Sequence, residues 1–116
     1  LSFISLRAVL SNLADFVQEQ GDLVMLVKPQ FEASRKEADR GRGVIRDPMV
    51  WQRVLHEVAI AVNTAGLAVV GLIQSPLLGG NGNSEFLMHA RKVRPSIYSD
   101  NDVDTLITQI ILEVAP

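Results

Sequence analysis

The sequence contains no cysteine, and this absence excludes several kinds of chemistry. Without thiols the chain cannot form disulfides, thiolate metal sites or redox-active cysteine pairs. The lack of cysteine fits a reducing compartment, and we expect a cytoplasmic protein. Aromatic residues are also scarce, with one Trp and one Tyr among 116 residues, so little surface is available for stacking nucleic-acid bases.

Strong net charge and long apolar runs are absent as well. The formal net charge is −2, so contact with nucleic acid or anionic lipid has to come from local patches. No apolar run approaches the roughly 18 residues of a membrane span, because polar residues and Gly66 interrupt the best stretch, residues 58–73. We therefore expect a soluble protein with no membrane partner.

Several familiar site motifs are missing too. The sequence has neither a GxGxxG nor a GxxxxGK[ST] phosphate-binding loop, and it has no GxSxG nucleophile elbow. His56 and His89 lack the spacing of metal ligands, and the carboxylates do not cluster around them. No metal site is predicted.

The first half of the chain alternates helical and strand-like patterns. Apolar residues recur at helical spacing over residues 6–17, and Gly21 is expected to be the C-cap. Residues 23–27 are an unbroken apolar run ended by Pro29, which is typical of a strand buried on both faces of a parallel sheet. Residues 32–47 carry nine charges and predict a long loop.

The second half continues this alternation. Asp47 and Pro48 predict the N-cap and first turn of a second helix that Gly66 ends. Residues 67–73 and 85–92 predict two strands, and the short glycine-rich connection between them favours an antiparallel third strand. A last helix is expected after Asp100 or Asn101. Apolar residues at helical spacing predict the buried stripes of these two helices: Val50, Trp51, Val54, Leu55, Val58 and Val62 in the second helix, and Val103, Leu106, Ile107, Ile110, Ile111 and Val114 in the last. We predict an α/β fold with three strands flanked by helices.

Two ionisable residues stand beside the apolar strands. Lys28 follows the first strand at its carboxyl end, where ligands bind in open α/β sheets. Glu85 begins the third strand after a glycine-rich loop. Charges there cost desolvation energy unless they are partnered, which predicts an active site. The alternatives are a lysine with its head in water and an ordinary exposed carboxylate.

Basic residues could provide a local patch for phosphates. Acidic residues interleave with those of residues 32–47, so a solvated charged loop is the favoured alternative there. The run at residues 91–94 is a cleaner basic cluster. The candidate RNA-binding residues are Arg35, Lys36, Arg40, Arg42, Arg91, Lys92 and Arg94.

Four motifs together resemble a known family. They are SFISLR (residues 2–7), LVKPQFE (26–32), GVIRDP (43–48) and SPLLGGNGNSEFL (75–87). In order and spacing they are similar to the C-terminal half of the methyltransferase domain in the TlyA or hemolysin A-type family, ribosomal-RNA 2′-O-methyltransferases of the FtsJ-like superfamily. The resemblance covers most of residues 1–92, and residues 93–116 match only by a similar closing helix.

The resemblance implies part of a Rossmann-like class I methyltransferase that uses S-adenosylmethionine, with a seven-stranded sheet whose last strand is antiparallel. Residues 1–116 would form the later part of the FtsJ-like domain, without the cofactor-binding half and the RNA-binding domain. The isolated chain is then expected to be inactive. Its exposed sheet edge could support a homo-oligomer.

The resemblance also assigns roles to residues. The family uses a Lys-Asp-Lys-Glu tetrad, in which Lys28 matches the second lysine and Glu85 matches the glutamate. Ser2 and Phe3 would lie near S-adenosylmethionine, and the partners would be ribosomal RNA and ribosomal subunits. Two alternative functions stay open at this stage: a membrane-acting hemolysin, and a non-catalytic module that binds RNA or protein.

Overall fold

A computed structural model describes residue 10 and residues 13–33, 43–76, 82–92 and 100–114. Within these ranges the chain forms the three predicted strands and the two later predicted helices, together with a short helix after the first strand that the sequence patterns do not predict. The elements are β1 (Asp22–Val27), α1 (Pro29–Glu32), α2 (Pro48–Thr64), β2 (Ala68–Gln74), β3 (Phe86–Arg91) and α3 (Asp100–Val114).

The strands form one sheet in the order β1-β3-β2, with β3 antiparallel to both neighbours. The antiparallel third strand predicted from the short connection is therefore confirmed. Because both outer strands oppose β3, they run parallel to each other. Their carboxyl ends and the start of β3 consequently share one edge of the sheet, where Val27 and Gln74 both face Phe86.

The prediction that β1 is buried on both faces of a parallel sheet is wrong. Met25 and Val27 are buried, but Val24 is 62% exposed and Leu26 is 38% exposed. In the described part of the chain β1 pairs only with β3, and that pairing is antiparallel. An apolar run shows that a strand can be covered on both faces, but only the packed fold decides whether a second layer covers it.

The core lies on the face of the sheet opposite to the exposed side chains of Val24 and Leu26. There Met25, Val27, Phe86 and Met88 pack against the apolar stripes of α2 and α3. Burying one such side chain stabilises the fold by about 1.5–3 kcal/mol. The helical stripes are as predicted, with these residues buried: Trp51, Val54, Leu55, Val58, Val62, Ile107, Ile110 and Ile111.

Helix α2 begins and ends as its sequence predicts. The Asp47 side chain caps the helix, since its Oδ1 accepts a hydrogen bond from the Met49 amide at 2.9 Å. Pro48 occupies the first turn, where its missing N–H is not needed. After the helix, Gly66 adopts a φ of +88°, which a residue with a Cβ rarely adopts.

The start of the chain differs from its prediction in detail. Of the helix expected over residues 6–17, Leu10 and residues 13–15 are helical, while residues 1–9, 11 and 12 lie outside the described ranges. Gln20, and not Gly21, takes the left-handed conformation, with a φ of +65°. Gly21 is required for a different reason, because a Cβ there would lie 2.8 Å from the Gln18 carbonyl oxygen.

Candidate active site

The candidate site lies at the edge where β1 and β2 end and β3 begins. Lys28 directly follows β1, and Glu85 directly precedes β3. The register pairs Val27 with Phe86, so Lys28 and Glu85 occupy the next facing positions outward on these two antiparallel chains. The fold thus brings together two residues that are 57 positions apart in the sequence (85 − 28).

Glu85 is buried, which differs from the alternative of an exposed carboxylate. Its side chain is held by Gln30, whose Nε2 donates a hydrogen bond to Glu85 Oε2 at 2.7 Å. The residue is only 5% exposed. Its main-chain carbonyl also accepts a hydrogen bond from the Ser75 amide at 2.8 Å, which ties it to the end of β2. A carboxyl group fixed in this way has a defined position relative to the sheet.

Lys28 is half-buried and lies at the N-cap of α1. Lysine is a poor N-cap, and its side chain makes no capping hydrogen bond here, so helix formation does not explain its presence. Its ammonium group lies 5.1 Å from the centroid of the Phe31 ring, within cation–π range. Lys28 therefore presents a partly desolvated charge at the same edge as Glu85.

Helix α1, which the sequence patterns did not predict, places these side chains. The turn starts at Pro29, whose fixed φ suits a first helical position. It carries Gln30 towards Glu85 and Phe31 under the Lys28 ammonium. The proline that ends β1 thus also starts the turn that builds the site.

Asn83 is a structural residue of the site that sequence reasoning missed. It is 2% exposed, and its Oδ1 accepts a hydrogen bond from the Ile45 amide at 2.9 Å while its Nδ2 donates to the Gly43 carbonyl at 2.8 Å. These bonds tie residues 43–45 to the segment that leads to Glu85. The motif GNGNSEF contains this asparagine, but its glycines predict only a flexible connection.

Trp51 extends this support into the core. Its Nε1 donates a hydrogen bond to the Ile45 carbonyl at 3.0 Å, and its ring packs edge-on against Phe86 with centroids 6.2 Å apart. In the sequence Glu85 therefore lies between two buried and anchored residues. Asn83 is bonded to the segment before α2, and Phe86 packs against Trp51 of α2. Such support keeps a side chain in one position.

The two predicted RNA-binding residues that the structure describes, Arg91 and Lys92, do not lie at this edge. Arg91 is the last residue of β3 and Lys92 follows it, so they lie at the other end of the strand, roughly 20 Å away at about 3.4 Å per residue. The Lys92 ammonium donates hydrogen bonds to the carbonyls of Ala14 and Val17, at 3.3 and 3.0 Å. The remaining candidates lie outside the described residues, as do Ser2 and Phe3: Arg35, Lys36, Arg40, Arg42 and Arg94.

Arg91 belongs to a separate polar cluster on the exposed face of the sheet. Asp22 Oδ1 lies 2.8 Å from His89 Nε2 and 2.9 Å from Arg91 Nε. The hydrogen bonds from His89 and then from Arg91 hold the pKa of Asp22 below its usual value of 3.8. This cluster stabilises the pairing of β1 with β3 far from Lys28 and Glu85.

In the described ranges no group of three or more His, Asp or Glu side chains is arranged to hold a metal ion. Across the same residues, no helix is both long enough and apolar enough to cross a membrane.

Comparison with curated proteins finds relatives that are longer than this chain. A Bacillus subtilis protein assigned as an rRNA methyltransferase, YqxC, is 43% identical over 89 residues, which cover 77% of this chain and 31% of that protein. The 16S/23S rRNA (cytidine-2′-O)-methyltransferase TlyA of Mycobacterium tuberculosis is 35% identical over 97% of this chain and 42% of its own length. Hemolysin A of Brachyspira hyodysenteriae is 33% identical over 77% of this chain.

Solved structures agree with the sequence matches. A protein of Streptococcus thermophilus assigned as a hemolysin superposes with a TM-score of 0.81 at 38% identity, covering 97% of this chain and 41% of that chain. A similarly assigned protein of Lactococcus lactis gives a TM-score of 0.76 at 35% identity. No family model matches the sequence.

The chain spans about a third to two fifths of the curated relatives it matches. The matches agree with the resemblance carried by the motifs around Lys28 and Glu85. Sequence and fold together therefore identify the chain as a segment of the TlyA and hemolysin A type.

Proposed function

We propose that this chain is part of an S-adenosylmethionine-dependent methyltransferase of the Rossmann-like class I fold that modifies 2′-hydroxyl groups of ribosomal RNA. The observation that carries the proposal is the juxtaposition of a buried, fixed Glu85 with a half-buried Lys28 at the carboxyl edge of the sheet. Relatives over most of the chain are named rRNA methyltransferases.

The chemistry of a ribose 2′-hydroxyl explains the need for such a pair. The hydroxyl is a very weak acid and has to lose its proton, or be tightly oriented, as its oxygen forms the new O–C bond. As a neutral amine Lys28 would take that proton, and as an ammonium it would stabilise the negative charge that develops on the oxygen. Glu85 would hold cationic side chains in place and balance their charge. RNA, unlike DNA, offers this hydroxyl at every nucleotide.

The polar groups on the described residues suit the binding of the methyl acceptor, the ribose 2′-hydroxyl. An ammonium and a carboxyl group at one edge can orient a hydroxyl, whereas Ser2 and Phe3, the residues proposed to border the cofactor, lie outside the described ranges. S-adenosylmethionine, when bound, would supply an activated methyl group. We propose that the rest of the S-adenosylmethionine site lies in the region of the longer relatives that this chain does not match.

The proposal is tested by substituting the two residues in a longer protein, one that contains this segment together with the regions found in its full-length relatives. Lys28→Ala and Glu85→Ala should each lower RNA methylation by about 10²- to 10⁴-fold, the usual loss for an essential acid or base. Methylation is measured with tritiated S-adenosylmethionine and ribosomal RNA. Glu113→Ala, on the exposed side of α3, is the matched control.

Circular dichroism of each variant separates lost chemistry from lost folding. If both folded variants methylate RNA within about threefold of the unmodified protein, the assignment of Lys28 and Glu85 is wrong. Dye release from liposomes by the same protein measures the alternative, membrane-acting function.

A further inference from the structure

Gln30 is the one described side chain seen to hold the Glu85 carboxyl group, and the motif comparison gives it no role. Its Nε2 lies 2.7 Å from Glu85 Oε2. A carboxylate oxygen accepts hydrogen bonds, so the amide has to turn its NH₂ group towards Glu85. The carbonyl side of the amide is thereby directed away from Glu85.

The carbonyl oxygen of this amide is buried without a partner. No described residue donates a hydrogen bond to Gln30 Oε1. Buried polar atoms are nearly always hydrogen-bonded, so an exception at a candidate site calls for a functional explanation. The second polar atom of this glutamine is thus not used within the described fold.

Lys28 offers the complementary group. Among the described residues its ammonium contacts the Phe31 ring and makes no hydrogen bond or ion pair. Lys28 and Gln30 lie two residues apart on either side of Pro29. Lys28 occupies the position next outward from the Val27–Phe86 pair, opposite Glu85, and Gln30 contacts the Glu85 side chain. A donor without an acceptor is therefore two residues along the chain from an acceptor without a donor.

We propose that Gln30 is a positioning residue that links the two candidate catalytic groups: its Nε2 fixes the Glu85 carboxyl group, and its Oε1 accepts a hydrogen bond from the Lys28 ammonium, which exchanges between this oxygen and the Phe31 ring. The role in catalysis rests on the proposed function. The contacts themselves do not, so they can be tested separately.

The contacts are tested by NMR of the 116-residue chain labelled with ¹³C and ¹⁵N. The side-chain signals of Gln30 are identified by their loss in Gln30→Met. Glu85→Gln should shift the Gln30 amide protons, and Lys28→Met should shift the Gln30 side-chain carbonyl carbon. The amide of Gln109, exposed on α3, should stay unchanged in both variants. A Gln30 amide unmoved by Glu85→Gln, or a carbonyl unmoved by Lys28→Met, would overturn the proposal.

The positioning role is tested by enzyme kinetics in the longer protein, which contains this segment together with the regions found in its full-length relatives. Gln30→Met should lower kcat for RNA methylation by about 10- to 100-fold while KM for RNA changes by less than about twofold, because orientation and not binding is lost. Gln109→Met is the matched control and should leave both constants unchanged.

A double substitution decides whether Gln30 acts through Glu85. Groups that act as a unit are not additive, so Gln30→Met combined with Glu85→Gln should be no slower than Glu85→Gln alone. Losses that multiply, or a change in KM alone, would overturn the positioning role. If the unmodified protein does not methylate RNA, the proposed function fails, and the NMR result still decides the Gln30 contacts.

Discussion

Replacing Asn83 by Ala should destabilise the fold at the base of the candidate site. The substitution removes at least two hydrogen bonds, including one from the Ile45 amide and one to the Gly43 carbonyl. The Ile45 amide belongs to a residue that is 4% exposed, so it would be left without water or protein as a partner. Gly43 is exposed, so water can replace its lost bond.

The magnitude follows from these two environments. A buried group left unsatisfied costs about 1–3 kcal/mol, and a hydrogen bond that water can replace contributes about 0.5–1.5 kcal/mol. The expected loss is therefore about 2–4 kcal/mol, a large part of the roughly 5–15 kcal/mol typical of a domain. With a urea m-value of about 2 kcal/mol/M, the middle of the usual range, the unfolding midpoint should fall by about 1–2 M.

Trp51 makes the measurement direct. It is the only tryptophan in the chain, and its indole donates to Ile45, the residue that Asn83 holds. Urea titration followed by tryptophan fluorescence should report the shifted midpoint. Asn63→Ala, at an exposed position in α2, should change stability by less than about 0.5 kcal/mol. Equal midpoints for the two variants would refute the role given to Asn83.

Three further predictions concern surfaces away from Asn83. His89 and Arg91 lower the pKa of Asp22 in the folded state, so this carboxylate stabilises the fold at pH values above its unfolded pKa of 3.8 and loses that effect as the pH falls further. Asp22→Asn should therefore lower the urea midpoint at pH 7, and the difference from the unmodified protein should close below about pH 3.8. Val24→Lys should reduce concentration-dependent self-association in light scattering if the exposed face of β1 mediates it, whereas Met49→Lys on α2 should not. The candidate RNA-binding residues are Arg35, Lys36, Arg40, Arg42, Arg91, Lys92 and Arg94. Neutralising them should lower the slope of the log–log salt dependence of ribosomal-RNA binding by about one unit or less for each lost phosphate contact. An unchanged slope would exclude these residues from RNA binding.

Local sequence determined most elements of the described fold, although not the short helix α1. Asp47 and Pro48 predicted the start of α2 because capping and the fixed φ of proline act within one turn. The stripes of α2 and α3 predicted their buried faces, since helical periodicity needs no knowledge of the partner surface. The length of the connection after β2 predicted the antiparallel direction of β3.

Tertiary structure alone decided how these elements meet. The run at residues 23–27 could not reveal that β1 would leave Val24 exposed, because coverage of a face depends on which layers pack there. The order β1-β3-β2 places the carboxyl ends of two distant strands beside the start of β3, and no local pattern contains that information.

The candidate site divides in the same way. Lys28 and Glu85 could be chosen from the sequence, since each is a charge beside an apolar run whose burial would require a partner. Their partners could not be chosen, because Gln30 reaches Glu85 across 55 positions and Asn83 reaches Ile45 across 38. Sequence therefore determined which residues are candidates for the site, and only the packed chain decided which neighbours hold them, because hydrogen bonds between distant segments exist only once the sheet has set its register.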